Sequence, residues 1–227
     1  MKILIGIITS DRNIYCIDLF SRTIKNLNCN GNEIDVIVVD NSKTNEYKYI
    51  LENHGFYVIK NEWHKYARDR IETSRNIVRD YCLAGGYDYL FSVDSDIFLR
   101  RDELLRLLSY NKKFICAPYA IKKNCPNPVE VLCVQNIKNG KRQFYGFSML
   151  HHPEPVEVTG CGMGCVLIHR EILEKVKFRN DPSCKTTKED LLFCDDVGEA
   201  GYKLWCDFSK LVSHENVGWS DIILEES

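Results

Sequence analysis

Apolar runs alternating with amphipathic segments over residues 1–117 constrain the fold more than any other feature of the chain. Residues 3–8 are an apolar run broken only by Gly6, residues 14–27 repeat apolar positions at helical spacing, and residues 34–39 are rich in β-branched side chains. They read as strand, helix and strand, a βαβ unit. A helix over 47–53, a strand over 56–59 and a helix over 70–84 closed by Gly85-Gly86 follow. A strand over 87–93, a helix over 102–108 and a strand over 114–117 complete the series. This spacing predicts an α/β fold with a mostly parallel central sheet flanked by helices, Rossmann-like, with ligands at the carboxyl ends of its strands.

The texture changes at residues 118–155, where Pro118, Pro126, Pro128, Pro153 and Pro155 flank two β-rich runs, 129–137 and 143–150. Asn139-Gly140 between them is a strong hairpin signal. The segment reads as a β-hairpin insertion in a single domain, serving as a lid, an acceptor-side element or a homodimer contact. Beyond it come a strand over 156–158, a glycine-rich turn at 160–164, a strand over 165–168 and a helix over 170–176. A helix over 187–200 stopped by Gly201 and short strand-like pieces at 203–206 and 210–212 lead to His214.

With 30 Lys+Arg against 32 Asp+Glu the formal net charge is -2. No global field draws the chain to nucleic acid or to an anionic membrane, so an anionic ligand is to be held locally. The opening apolar run is too short for a signal-peptide core and lacks a small-residue cleavage site. No later stretch approaches the roughly 18 apolar residues of a membrane span, and the expectation is a cytoplasmic protein without a transmembrane span. The 11 cysteines include no C-x-x-C pair. No zinc site is expected, and they read as small buried hydrophobes, with disulfides the alternative in a hyperthermophile or its virus.

The sharpest local feature is Asp94-Ser95-Asp96 at the end of an apolar strand. Extended geometry places both carboxylates on one side, a pair of hard oxygens suited to Mg²⁺ or Mn²⁺ with positions left for water and a diphosphate. Asp96 or Asp102 capping the next helix is the bland alternative. Asp40, before Asn41-Ser42, is a ligand contact or a turn former. Arg75 is a solvated charge or, with Lys65, Arg68, Arg70 and Arg79, part of a basic cluster for a diphosphate. Thr186-x-x-Glu189 and Thr187-x-x-Asp190 are both capping-box spacings, of which only one can serve, leaving the other acid for chemistry.

Together these segments resemble a nucleotide-sugar-dependent glycosyltransferase of the GT-A fold, inverting and family-2-like. Ile3 to Thr9 resembles the family's first strand, and Val36 to Ser42 its second, whose terminal aspartate contacts the nucleobase. Thr73 to Asn76 resembles the small-Arg-Asn segment before the D-x-D strand. Gly160 to Cys165 resembles the acceptor-side glycine turn, and Glu189-Asp190 the paired acids of the catalytic helix. The chain departs from the family at Thr9-Ser10-Asp11-Arg12, which lacks the proline and aromatic common there.

The resemblance implies residues 1–117 as nucleotide-binding half and 156–227 as acceptor and catalytic half. It implies nucleotide contacts from Thr9, Arg12, Asp40, Arg75, Asp94 and Ser95, and a divalent cation, Mn²⁺ or Mg²⁺, on Asp96, Asp94 and His214. Asp190 is then the base, Glu189 its cap or acceptor ligand, and Gly160 and Gly162 lie on the acceptor side. The donor is a nucleoside-diphosphate sugar, UDP by family frequency, and the acceptor a glycan, protein or small molecule. The alternatives are a nucleotidyltransferase, though Thr9 to Arg12 lacks its glycine-rich phosphate loop, and a non-catalytic nucleotide-binding protein.

Overall fold

A computed structural model of the chain describes residues 1–123, 129–181, 183 and 188–215. In chain order the elements are β1 (Lys2–Thr9), α1 (Ile17–Lys25), β2 (Glu33–Asp40), α2 (Glu46–Asn53), β3 (Tyr57–Lys60), α3 (Ala67–Ala84) and β4 (Tyr89–Asp94). There follow β5 (Ile97–Phe98), α4 (Glu103–Ser109), β6 (Phe114–Cys116), β7 (Ala120–Lys123), β8 (Val129–Leu132), β9 (Val134–Lys138) and β10 (Lys141–Phe144). The remainder are β11 (Val156–Val158), β12 (Gly160–Cys161), β13 (Cys165–His169), α5 (Arg170–Lys175), α6 (Glu189–Glu199), β14 (Leu204–Cys206) and β15 (Ser213–His214).

Eight strands form the central sheet in the order β11-β14-β6-β13-β4-β1-β2-β3. The expected parallel pairings hold from β4 through β1 and β2 to β3, and β14 is parallel to β6. β13 enters antiparallel between β4 and β6, and β11 antiparallel beside β14. Ile3, Leu4, Ile5 and Ile7 in β1 are at most 1% exposed, as a central parallel strand covered on both faces requires. Each such side chain contributes roughly 1.5–3 kcal/mol by burial. At Gly6 an added Cβ would lie 2.2 Å from Val78 Cγ1. Its absence lets α3 lie directly on β1, which fixes where the polar side chains of that helix emerge.

Several boundaries differ from the periodicity. Residues 11–16 are a 3-10 turn, so the first α-helix begins only at Ile17. Strand pairing of β4 starts at Tyr89, because Asp88 is spent on the Lys2 backbone, accepting from its amide at 2.8 Å and donating to its carbonyl at 2.7 Å. The run 129–137 is not one hairpin arm. It divides at Cys133, whose amide donates to the Tyr119 carbonyl, so that β8 pairs with β7 while β9 pairs with β10.

The Asn139-Gly140 turn is as expected, with φ of 52° and 71° at its two residues, the geometry of a type I′ turn. The second arm ends at Phe144, and residues 147–149 form a 3-10 turn. The hairpin is not free-standing, since β9 also pairs with β12. Residues 210–212 contribute one bridge, Tyr119 to Val212. Pro126, Pro128, Thr186 and Thr187 lie outside the described residues, so the capping-box expectations are not addressed. The helix begins at Glu189 after Lys188.

Candidate active site

The chain runs from β1 outward through β2 to β3, then returns along α3 to β4 on the other side of β1. Strand order reverses between β1 and β4, the point at which open α/β sheets form a crevice beyond their carboxyl ends. Register places Ile8 beside Asp94 and Thr9 beside Asp40, so three strands deliver their last residues to one edge. Ser95 lies just beyond that edge, in the turn after β4. Its hydroxyl lies 2.7 Å from that of Thr9 and accepts from Asn13 Nδ2 at 2.7 Å.

The extended chain stops at Asp94, and Ser95 and Asp96 form a turn. The two acids therefore do not share one extended face, contrary to the alternation argument, because Ser95 is held back by Thr9 and Asn13. Asp94 faces α3, where Arg75 Nη2 donates to its Oδ1 at 2.8 Å while Nη1 donates to Ser92 Oγ at 3.0 Å. The Arg75 side chain is 7% exposed, and its Nε is buried without a hydrogen-bond partner among the described residues. The basic cluster expected around Arg75 disperses. Arg79 donates to the Val176 carbonyl and Arg70 to those of His64 and Lys65. Burial pushes the Asp94 carboxyl up; Arg75 opposes this and Asp96 adds to it.

Asp96 faces the end of the described chain. β15 pairs antiparallel with β5, setting His214 beside Ile97, and the Glu215 amide donates to the Asp96 carbonyl at 2.9 Å. His214 Nε2 lies 3.6 Å from Asp96 Oδ2, and Nδ1 is 2.7 Å from the Ala120 carbonyl. A carbonyl can only accept, so Nδ1 carries a proton, and Nε2 is the ring nitrogen that faces the carboxylate. Burial alone would lower the imidazole pKa, but the Asp96 carboxylate and the Ala120 carbonyl raise it overall. Among the described residues no three His, Cys, Asp or Glu side chains converge as a metal-binding group. Asp96 and His214 form a pair, while Asp94 is turned to Arg75.

Glu189 and Asp190 open α6. Glu189 is 7% exposed, and burial together with the charge of Asp190 pushes its carboxyl up to about 7 against the pull of Arg75. Asp190 is half-buried. Its pKa is also raised, by burial and in part by Asp94, with Lys188 and the Leu191 amide holding it down. That amide donates to Asp190 Oδ1 at 2.7 Å. Asp94, Arg75, Glu189 and Asp190 thus share one electrostatic neighbourhood.

The glycines of the 160–164 turn are explained by packing within the protein. An added Cβ on Gly162 would lie 2.2 Å from the Tyr119 hydroxyl, and one on Gly160 would lie 3.0 Å from Arg142 Nη1 and 3.1 Å from Leu191 Cδ2. Tyr119 is buried, accepts from the Gly164 amide at 3.3 Å and meets His214 edge-on with centroids 5.0 Å apart. It joins the glycine turn to the histidine. Asp40 is fully buried, accepting from the Ser42 amide and hydroxyl and, at 3.0 Å, from Lys60 Nζ. Its carboxylate holds the loop after β2, the turn-forming alternative. Arg12 is exposed on the 3-10 turn.

Ser92, Tyr119, Asn13, Lys60 and the Ala120 carbonyl are residues that sequence reasoning missed. Ser92 was readable as a polar break in an apolar strand; the others carry no local signal and matter only through contacts distant in sequence.

No protein-family model and no curated protein matches the sequence. Solved structures do match. A197 from STIV superposes with a TM-score of 0.51 at 16% identity, over 95% of this chain and 86% of that one. S. aureus TarS 1–349 in complex with UDP-GlcNAc superposes with a TM-score of 0.62 at 14% identity, over 97% of this chain and 61% of that one. The same fragment in complex with UDP gives 0.60 at 14%, over 93% and 59%. This chain therefore spans about three fifths of the length of those TarS fragments. No helix among the described residues is long and apolar enough to cross a membrane. The sheet order, with its reversal between β1 and β4, and these superpositions establish a GT-A-like fold for the chain.

Proposed function

We propose that the protein is a glycosyltransferase that moves a sugar from a nucleoside-diphosphate sugar to an acceptor hydroxyl with inversion. The observation that carries this reading is the meeting of Arg75 with Asp94, His214 with Asp96, and the α6 acids around one switch-point crevice. UDP is the preferred base, in keeping with the UDP and UDP-GlcNAc complexes of the similarly folded TarS fragment.

Asp96 and His214 fit a divalent cation, Mn²⁺ or Mg²⁺, because a carboxylate oxygen stands beside an imidazole nitrogen whose partner nitrogen is anchored on a carbonyl. When bound, such an ion supplies positive charge to the departing diphosphate. Arg75, locked by Ser92 and Asp94, orients Asp94 at the crevice floor, where it is suited to hold a ribose hydroxyl. Thr9 and Ser95 set the depth of that floor.

Asp190, the more exposed of the two acids, takes the acceptor proton as the acceptor oxygen bonds to the anomeric carbon and the bond to the diphosphate breaks. Glu189 beside it shares a proton near neutrality, so the pair does not carry two full charges against Asp94. The insertion hairpin reaches α6 through an ion pair of Arg142 with Asp195, which supports an acceptor-side role for it. Incubating the protein with UDP- and GDP-sugars in Mn²⁺ or EDTA tests the reading. Mn²⁺-dependent release of nucleoside diphosphate from one donor is expected; no release from any donor overturns it.

A further inference from the structure

Six of the nine cysteines among the described residues, Cys116, Cys133, Cys161, Cys165, Cys194 and Cys206, are buried on β6, β12, β13, β14, α6 and between β8 and β9. Four of them form a continuous chain of thiols drawn from four elements. Cys116 on β6 and Cys206 on β14 are register partners on neighbouring parallel strands. The Cys116 thiol is a near neighbour of those of both Cys206 and Cys161, close enough for each to move its titration. Cys161 on β12 in turn meets Cys194 on α6, whose Sγ also donates to the Cys161 carbonyl at 3.7 Å. None of the four is more than 1% exposed. Single cysteines scattered through a core are ordinary small hydrophobes; four in a row place oxidisable sulfurs next to one another.

We propose that this cluster is a covalent modification site that closes as two disulfides, Cys116–Cys206 and Cys161–Cys194. This is the one pairing of the contact chain Cys206, Cys116, Cys161, Cys194 that leaves no thiol over, since joining the two central residues would strand both ends. Neighbouring strands lie about 4.8 Å apart, inside the roughly 4.4–6.8 Å Cα separation that a disulfide spans. The inference does not depend on the transferase reading.

Burial pushes the Cys116 and Cys194 thiols well up, and the Cys206 thiol to about 11, so thiolate is scarce once the core has closed. The bonds therefore form while the chain folds, by exchange with a low-molecular-weight disulfide such as oxidised glutathione. One protein thiolate attacks that disulfide, giving a mixed disulfide and releasing one thiol. The second protein thiolate displaces the other half, so each protein disulfide costs two protein protons and reduces one small disulfide to two thiols. Cys161–Cys194 would tie the glycine turn to the helix that begins with Glu189 and Asp190, and Cys116–Cys206 would tie two strands of the central sheet.

The test is to refold the full chain with oxidised glutathione, alkylate it in denaturant and map its peptides by mass spectrometry. The expected products are Cys116–Cys206 and Cys161–Cys194 linked peptides, with Cys16, Cys29 and Cys82 alkylated. The midpoint of thermal unfolding should exceed that of the reductant-treated chain by about 10–20 °C. Cys194→Ala should lose only the second link, so each bond is read separately even where the variant is less stable. Alkylation of all four residues, a Cys116–Cys161 link, links to other cysteines, or stoichiometric metal held by the four thiols would each overturn the proposal.

Discussion

Two stretches of the same sheet edge use polar residues in opposite ways. At the ends of β1 and β2 the polar groups satisfy one another. Thr9 and Asn13 bind Ser95, and Asp40 is enclosed by Ser42 and Lys60. At the end of β4, by β15 and α6, the groups are crowded and electrostatically displaced. Asp94, Glu189 and Asp190 all have raised pKa values, and Arg75 keeps a buried nitrogen without a partner among the described residues. Buried polar groups in a finished structure are paired, whereas functional sites hold groups away from their resting titration. On the proposed function, the first stretch serves as scaffold and the second as the chemical centre.

Substitutions separate the two. Asp190→Asn should lower transfer by about 10³-fold while leaving donor binding intact, read from turnover beside calorimetric affinity; wild-type turnover would remove the base assignment. Asp96→Ala should raise the Kd for UDP in Mn²⁺ by more than about 100-fold, roughly 2.7 kcal/mol, and an unchanged Kd would detach Asp96 from binding. Lys60→Met leaves the buried Asp40 carboxylate without its cation and held by Ser42 alone, at a cost of about 3 kcal/mol. It should lower the thermal midpoint and leave UDP affinity within a few-fold; the reverse pattern would make the β2 end part of the chemical centre.

The smallest effect is in pH dependence. Glu189 is raised from 4.5 to about 7, so the folded chain binds the extra proton between those values. Stability then falls as pH rises through that window and levels off above it. His214, also raised, acts in the same direction by losing its stabilising proton as pH rises. Glu189→Gln should flatten the decline between about pH 4.5 and 7 and raise the thermal midpoint at pH 8, leaving the His214 contribution. A slope equal to wild type would show that Glu189 titrates normally.

Much of the scaffold was legible because it is periodic. The apolar runs of β1, β2 and β4 and the glycine turn between β9 and β10 follow from local rules. The antiparallel entry of β13 and the division of the run 129–137 at Cys133 were not legible, since both depend on partners distant in sequence. At the site, Asp94, Asp96, Arg75 and His214 were recognisable as residues, but their pairing was not. Alternation placed both acids on one face, and only the Ser95 contacts to Thr9 and Asn13 turn them to different partners. Tyr119 was invisible for the same reason, as its role lies in filling the space left by Gly162 and touching His214.

On the proposed function, Asp96 and His214 hold a nucleotide through a divalent cation. Calorimetric titration of the protein with UDP in Mn²⁺, repeated in EDTA, tests it most directly. The account predicts saturable heat in Mn²⁺ that disappears in EDTA; no binding in Mn²⁺, or equal binding in both, would contradict it.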